Sequence, residues 1–269
     1  MDLIERPFIY SFRVATLSAQ QTALAQQIQI LPDHVFLMRA QNGFITGTST
    51  ATFAMRFADA MRRFRSADFV NIASDIRALA TTGVWSPVVP QVAYPPNSNL
   101  EMEFRNDQQA GSAKMTILFG GVGLYKPGSV WAPQLPARFS VSRFVYTVSA
   151  SIARAAAATQ QNDYILQIKP DAGFMFTHAQ VMADGSSGIG GYTDLRIRFK
   201  DRWGKYYSND FIPINAYLGN SVEQPGILYP GIYMEPNETF LFDLQLNDTG
   251  GAATLNLQIA FEGYKVFQK

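Results

Sequence analysis

The sequence predicts an all-β fold: two tandem antiparallel β-sandwich or jelly-roll domains that arose from an internal duplication. Three observations predict it. Short motifs recur in the same order in the two halves, most segments alternate apolar with polar residues, and turn signals separate those segments. A chain of 269 residues, 47% of them hydrophobic, is long enough to bury two cores of ordinary domain size.

The internal repeat rests on six matched segments. The first match has an offset of 136 residues (from 8 to 144) and the longest has one of 142 (from 56 to 198). A repeated unit of this length is a domain rather than a solenoid repeat. The matched pairs are 8–10 with 144–146, 30–33 with 168–171, 56–72 with 198–214, 96–97 with 236–237, 106–107 with 247–248, and 125–126 with 264–265.

The strands are predicted from alternation with period two, which is typical of half-buried antiparallel strands. The clearest examples are residues 100–104, 195–199, 240–246 and 255–259. Two segments rich in alanine and glutamine, 17–27 and 150–161, depart from this pattern. Because both residue types favour helix, we interpret each segment as a loop or a short helical turn that leads into a strand.

The domain limits follow from a stretch rich in proline. Pro127, Pro133 and Pro136 interrupt both helix and sheet hydrogen bonding, so residues 127–137 are predicted to form a short, stiff linker. The first β-sandwich domain is then residues 1–126, and the second is residues 138–269.

Composition narrows the function classes. With 20 Phe and 12 Tyr but only 16% charged residues, the chain is typical of proteins that hide additional surface against neighbours. A net charge of +1 argues against a dedicated nucleic-acid binder. The chain has no Cys, and it shows neither a secretory signal nor a membrane-spanning apolar run. We therefore expect a soluble product that is made and assembled in a host cytoplasm, with no membrane partner.

No catalytic residue, cofactor site or metal site is predicted. The two histidines do not recur, since His34 matches Ala172 and His178 matches Ala40 in the repeat. The glycine-rich segment 120–123 runs into a strand rather than a helix, so it does not fit a phosphate-binding loop.

Acidic side chains recur in both copies. They could serve a glycosidase or a calcium site, but their positions at strand ends favour a role in stabilising turns. The matched pairs are Asp33 with Asp171, Asp59 with Asp201, Asp68 with Asp210, and Asp107 with Asp248.

A hairpin between matched aspartates is the candidate interaction site of each copy. It mixes cations with aromatic side chains, which is the composition of protein-interface hot spots. A sheet edge protected by charge explains the same residues equally well, and contact with single-stranded nucleic acid is a weaker third explanation. The candidate interface residues are Arg62, Arg63, Phe64 and Arg65 in the first copy and Arg202, Trp203, Lys205 and Tyr206 in the second.

The closing pattern of each copy resembles that of β-sandwich structural proteins of tailed-bacteriophage virions. It comprises an apolar strand, a turn such as residues 235–237, an Asn-Asp turn, and a last strand that ends near residues 263–265. The resemblance implies a non-enzymatic role in a capsid, vertex or tail. It also implies a location in the virion, where the partners are other copies of this chain and other virion proteins.

Two hypotheses about function follow. In the leading one the protein is a virion structural protein that acts through subunit assembly, with a double jelly-roll capsid tile as a specific variant. In the alternative it is a tandem carbohydrate-binding module of a receptor-binding apparatus, where Trp203, Tyr206 and Tyr207 form a platform for a glycan. An enzyme ranks third.

Overall fold

The computed structural model describes an all-β protein whose chain divides into two compact units. Unit 1 comprises Met1–Ala80 with Val84–Ala132, and unit 2 comprises Thr81–Gly83 with Pro133–Lys269. The described residues are 3–47, 53–58, 61, 63–64, 66–71, 85–107, 112–130, 135–153, 159–183, 195–214, 219–221, 224–246 and 254–268.

Unit 1 contains two antiparallel sheets with the orders β1-β8-β3-β6 and β2-β7-β4-β5. The first strand of the unit pairs with the last, and the second with the second-last, which is the strand order of a jelly roll. The strands are β1 (Ile4–Ser18), β2 (Thr22–Gln29), β3 (His34–Gly47), β4 (Phe53–Phe57), β5 (Val70–Asn71), β6 (Ser86–Tyr94), β7 (Asn99–Asn106) and β8 (Ser112–Tyr125).

Unit 2 has the sheet orders β9-β17-β11-β15-β14 and β10-β16-β12-β13. With the added edge strand β14 set aside, these orders are those of unit 1. The strands are β9 (Phe139–Ala153), β10 (Thr159–Gln167), β11 (Gly173–Ala183), β12 (Leu195–Lys200), β13 (Ile212–Pro213), β14 (Gly219–Ser221), β15 (Gln224–Met234), β16 (Thr239–Leu246) and β17 (Thr254–Gln268).

Each unit encloses an aromatic core between its two sheets. In unit 1, Phe8 and Phe119 from one sheet join Phe104 from the other in a single buried cluster. In unit 2, the ring centroid of Phe176 lies 5.8 Å from that of Phe199, which belongs to the opposite sheet. Such rings bury about 150–250 Å² each, and their pairing adds about 0.5–1.5 kcal/mol beyond that burial. The predicted all-β sandwich architecture is therefore confirmed.

The two units share irregularities as well as strand order. A bulge interrupts β3 between Met38 and Ala40, and another interrupts β11 between Phe176 and His178, at the matched position. The β2 and β10 strands likewise carry bulges at residues 23–26 and 161–164. A bulge adds an unpaired residue and bends the strand, so its recurrence at equivalent positions is a specific likeness.

A buried tyrosine also recurs in both units. The hydroxyl of Tyr10 on β1 accepts a hydrogen bond from the Leu31 backbone N–H at 2.8 Å. The hydroxyl of Tyr146 on β9 accepts one from the Lys169 backbone N–H at 3.0 Å. Each bond joins the first strand of its unit to the loop that follows the second strand.

The structure corrects two sequence-based expectations. The alanine- and glutamine-rich segments are strands where they are described, since β1 runs to Ser18, β2 starts at Thr22, and residues 150–153 and 159–161 are in β9 and β10. Residues 154–158 lie outside the described part. Helix propensity is a weak preference, and pairing across a sheet overrides it here.

The second correction concerns the last matched segment. Phe8 pairs with Gly121, whereas Phe144 pairs with Gly263. Because Phe8 and Phe144 are equivalent, Gly121 corresponds to Gly263, and the predicted match of 125–126 with 264–265 is displaced by three residues.

Among the described residues there is no helix long and apolar enough to cross a membrane.

Candidate functional site

Asp201 stabilises the turn of the candidate hairpin of unit 2, which comprises residues 201–207. This side chain is buried, and its Oδ1 accepts hydrogen bonds from the backbone N–H groups of Trp203 (3.0 Å) and Lys205 (2.8 Å). Gly204 occupies the left-handed region with a φ of 77°, which a glycine adopts without strain. The recurrent acid at this position therefore stabilises a turn, as its place at a strand end predicts.

The corresponding segment of unit 1 has the same backbone closure. Ala58 forms an isolated antiparallel bridge with Phe64, as Lys200 does with Tyr206 in unit 2. The side chains of Arg63 and Phe64 are exposed. The other two predicted residues of this segment, Arg62 and Arg65, lie outside the described residues.

The predicted residues of the unit 2 hairpin separate into two groups. Trp203 is 57% exposed, and the Arg202 guanidinium lies 4.2 Å from its ring centroid. These two side chains form the exposed end of the hairpin. Tyr206 and Lys205 are half-buried. Tyr207 is only 4% exposed, with its ring 5.9 Å from Phe240 in the core, and it cannot take part in a platform for sugars.

Tyr206 is held by residues that the sequence analysis missed. The guanidinium of Arg198 lies 3.5 Å from the Tyr206 ring centroid, and the Tyr206 hydroxyl donates a hydrogen bond of 2.9 Å to Asp243 Oδ2. Lys200 donates to the other oxygen of Asp243 at 2.8 Å and to Asp163 at 2.7 Å. We call Asp163, Arg198, Lys200, Tyr206 and Asp243 the Asp243 cluster.

Unit 1 contains a simpler counterpart of this cluster. The Arg56 guanidinium lies 4.2 Å from the Phe64 ring centroid, and its Nε donates to Glu103 Oε2 at 2.6 Å. A signal for both clusters was present in the sequence. The arginines begin the longest matched segment, and the acids take polar positions of an alternating strand in each copy. The aromatic rings of the candidate hairpins are thus partly covered by cations of their own unit.

The electrostatics of the Asp243 cluster indicate a fixed ionic network. Burial alone would lower the pKa of Lys200, but hydrogen bonds to Asp163 and Asp243 outweigh it and raise that pKa above its ordinary value. Burial, followed by the hydrogen bond to Asp243, raises the pKa of Tyr206. Both groups keep their protons at neutral pH, so neither is prepared to act as a base or a nucleophile.

Both histidines form hydrogen bonds with side chains of their own unit. His34 is buried, with Nδ1 2.6 Å from Asp33 Oδ1 and Nε2 3.1 Å from the Tyr10 hydroxyl, and its ring lies 4.7 Å from that of Tyr125. His178 Nδ1 lies 2.9 Å from Thr177 Oγ1. Within the described ranges no group of three or more His, Asp or Glu side chains converges as a metal site.

Glu238, in the turn between β15 and β16, is buried in the same unit. Its Oε2 accepts a hydrogen bond of 2.8 Å from the Glu235 backbone N–H, while Oε1 has no hydrogen-bond partner among the described residues. Burial raises the pKa of Glu238 to about 8, against the smaller opposing effects of the hydrogen bond from the Glu235 backbone and of Arg202 in the hairpin. The Glu238 carboxyl group is therefore mostly protonated at neutral pH.

Glu238→Gln is expected to remove a pH dependence from the stability of unit 2. The unfolded chain ionises Glu238 near pH 4.5, whereas the folded unit does so near 8, so the contribution to stability is complete below 4.5 and is lost as the pH rises to about 8. The slope in this window is at most about 1.4 kcal/mol per pH unit. Urea unfolding between pH 5 and 9 should show this slope for the wild type and for Glu235→Gln, and not for Glu238→Gln. An identical slope in all three proteins would contradict the role of Glu238.

Comparison with known proteins leaves the family open. No protein-family model matches the chain, and no curated protein does. Among solved structures, the chain is similar to the major capsid protein P2 from bacteriophage PM2, with 11% identity and a TM-score of 0.25 over 94% of this chain and 98% of that one. It is also similar to the atomic structure of Sulfolobus Turreted Icosahedral Virus (14% identity, TM-score 0.31, 96% of this chain and 90% of that one). A third similarity is to the PBSX exported protein XepA (11% identity, TM-score 0.23, 94% and 86%).

Viral capsid proteins are therefore among the structures that this chain is similar to. At such TM-scores the similarities do not decide function, which has to be inferred from the strand order, the packing and the exposed surfaces of this chain.

Proposed function

We propose that this protein is a non-enzymatic structural protein of a virus particle and that it acts by assembling with copies of itself and with other virion proteins. The observation that carries the proposal is the repetition of one jelly-roll strand order, with the same bulges, in both units. Jelly rolls serve as capsid domains, lectins and cupins, so the surfaces and interiors must decide among these roles.

The interiors favour assembly over catalysis. Aromatic side chains such as Phe104 and Phe176 pack between the sheets of each unit, and in unit 1 a cavity of about 290 Å³ remains beside Gln41, Arg56 and Val88. The buried His34 and Asp243 side chains are hydrogen-bonded to their own unit. The aromatic packing and these internal hydrogen bonds favour a function at the surfaces of the chain.

The repetition also supports an origin by duplication. In this proposal the domains span residues 1–126 and 138–269, joined by the linker 127–137, and each chain offers two quasi-equivalent contact surfaces. Three such chains would form a pseudo-hexagonal double jelly-roll tile. The candidate hairpins, with the exposed side chains of Phe64 and Trp203, are proposed as further contact points between virion proteins.

A particle of a tailed bacteriophage, assembled in the host cytoplasm, is the specific setting that we propose, with the protein in the capsid, a vertex or the tail. The resemblance of the closing segments supports this setting. Light scattering of the full-length protein, followed by electron microscopy, tests the assembly. Closed oligomers or particles would support the proposal, whereas a monomer at every concentration that forms no particle would contradict it.

The exposure of Trp203 favours a second candidate function, the binding of a glycan. One exposed tryptophan beside Arg202 can stack on a sugar ring, although Tyr207 is buried and cannot extend the surface. If this function is correct, Trp203→Ala should abolish binding on a glycan array while Met61→Ala, at the matched and likewise exposed position of unit 1, leaves binding unchanged. Equal binding by both variants, or none by the wild type, would contradict it.

A further inference from the structure

Strand β9 of unit 2 has an edge that no other strand covers in the described part of the chain. Its 15 residues pair only with β17, and that pairing has no register shift. The Ser151 N–H donates a hydrogen bond of 3.1 Å to the Tyr164 hydroxyl, so the Ser151 backbone points away from β17. The Ala153 carbonyl also points away, since it accepts a hydrogen bond of 2.5 Å from Thr159 Oγ1.

The other odd-numbered residues of β9 point to the same edge, because the backbone groups of an antiparallel strand alternate between its two sides. The side chains of Tyr164 and Thr159 bond only the end of this edge. The remaining stretch, residues 139–149, keeps six residues whose N–H and C=O groups are directed outward. All six residues are exposed, and they are Phe139, Val141, Arg143, Val145, Thr147 and Ser149.

Strand β9 lacks the features that normally prevent edges from pairing with each other. Natural edges are protected by Lys, by Pro, by a bulge or by shortness. In its 15 residues β9 has neither Lys nor Pro, and it has no bulge. Its single charged side chain, Arg143, is paired with Glu262 at 3.2 Å. By contrast, the corresponding strand β1 of unit 1 contains Pro7 and has a bulge between Val14 and Leu17.

The other edges of the described sheets are poor partners for β9. Strands β5, β13 and β14 have only two or three residues each. Register shifts interrupt the pairing of β1, β2 and β10, and β6 contains two prolines. A long unbroken edge forms most hydrogen bonds with another long unbroken edge. Among the described edges of this chain, that partner is β9 itself, in another copy.

We infer that β9 of one chain pairs antiparallel with β9 of a second copy, so that their two sheets continue into each other across a twofold axis. This inference rests on the proposed function and names one contact of the assembly. Strand addition at an exposed edge is an established mode of recognition, in which main-chain hydrogen bonds supply the affinity. The occupant is polypeptide because an extended strand repeats N–H and C=O groups at the spacing of the edge, which a glycan, nucleic acid or lipid does not.

The length of the open edge determines the register. Full overlap of residues 139–149 with the same residues of the second copy places the axis at Phe144. Arg143 then lies opposite Val145, so the two arginines do not oppose each other. Each of the six outward residues exchanges two hydrogen bonds with its partner, about twelve in all, which a typical stable interface also has. A twofold contact of this kind would join neighbouring tiles rather than the three chains of one tile.

Thr147→Pro tests the inference. Because the Thr147 N–H points to the open edge, proline leaves the pairing with β17 intact and removes one donor from each copy. The concentration at which oligomers dissociate should rise about 30-fold, since two hydrogen bonds are lost and the proline ring enters the contact. The matched comparison is Thr147→Val, which keeps the N–H and should raise this concentration less than threefold. Circular dichroism verifies that both variants fold.

The absence of cysteine from the chain permits a test of the partner strand. In the proposed register Arg143→Cys of one copy faces Val145→Cys of the other, with Cα atoms about 5.5 Å apart, which a disulfide can bridge. The two single variants are mixed in the dissociated state, concentrated and mildly oxidised. The mixture should give at least ten times more linked dimer than a mixture of Arg143→Cys with Ile165→Cys on β10.

The two tests separate this contact from assembly in general. If Thr147→Pro assembles like the wild type, the inference is overturned while assembly itself stands. If Thr147→Pro weakens assembly but the cysteine mixture gives no excess of linked dimer, the edge binds a different strand, and the inference is again overturned. If the wild type never assembles, the inference and the proposed function both fail.

Discussion

Asp243→Ala should destabilise unit 2 by about 3–5 kcal/mol, because it removes one member of a buried ion pair and leaves the other behind. Asp243 is fully buried and accepts hydrogen bonds from Lys200, Tyr206 and the Asp163 backbone N–H. After the substitution, the mostly buried Lys200 ammonium retains its contact to the exposed carboxylate of Asp163 and its position 5.6 Å from the Tyr206 ring centroid. This loss is a large share of the total stability of a domain of this size.

The matched control for this prediction is Glu103→Ala in unit 1. Glu103 occupies the equivalent strand position, but its partner Arg56 is partly exposed and also stacks on Phe64. Solvent can therefore replace much of the lost interaction, and we expect a cost of about 1 kcal/mol. Asp243→Asn keeps the shape but not the charge, and should fall between the two.

Hydrogen exchange detected by mass spectrometry can measure each unit separately, which matters because a chain with two units need not unfold in one step. Peptides from β16 report on unit 2, and peptides from β7 report on unit 1. Asp243→Ala should accelerate exchange in β16 and leave β7 unchanged. Equal effects of Asp243→Ala and Glu103→Ala would show that the Asp243 cluster is solvated and contributes no more than a surface pair.

The local sequence pattern predicted individual strands, but it did not predict which strands pair with each other. In residues 240–246 the alternation identifies Phe240, Phe242 and Leu246 as inward-facing, and all three are buried in β16. Nothing in that pattern predicts that β16 lies between β10 and β12, because the neighbours of a strand are set by contacts far apart in the sequence. The order of the matched motifs carried more information, because it predicted the same topology for both halves, and the two units have the same jelly-roll strand order.

The sequence could not predict which outward-facing side chains are exposed to solvent. Residues 8–10 and 144–146 carry nearly the same motif, yet Ile9 is buried and Val145 is exposed. Periodicity assigns both to the outward side of a strand, and only the packing of the whole chain decides whether that side meets solvent. Both Tyr206 and Phe64 were predicted to be exposed hairpin aromatics, but only Phe64 is exposed. Tyr206 is half-buried, and Arg198, three residues before the hairpin, lies over its ring.

Gly263→Ala is expected to destabilise unit 2 by about 4 kcal/mol or more, a range reached when an added atom has no room. A Cβ at Gly263 would overlap the carbonyl oxygen of Met175, and backbone cannot move aside as the end of a flexible side chain can. The close approach lies beside the bulge in β11, where Gly263 is the last partner before the register shifts. Gly121 meets the carbonyl of Leu37 beside the equivalent bulge of β3, so Gly121→Ala should have the same effect on unit 1.

The control for Gly263→Ala is Gly128→Ala. Gly128 has a positive φ of 81° with nothing within 4 Å of an added Cβ, so its substitution costs only the strain of the backbone conformation, about 1–2 kcal/mol. Urea unfolding measures both variants, and hydrogen exchange reports on β17 for Gly263→Ala and on β8 for Gly128→Ala, because Gly128 belongs to unit 1. A cost for Gly263→Ala no larger than that for Gly128→Ala would mean that β11 and β17 can separate at the bulge. If the large cost is found, the recurrent glycine is required by the bulge itself, and each unit needs one because each bends its sheet at the same point.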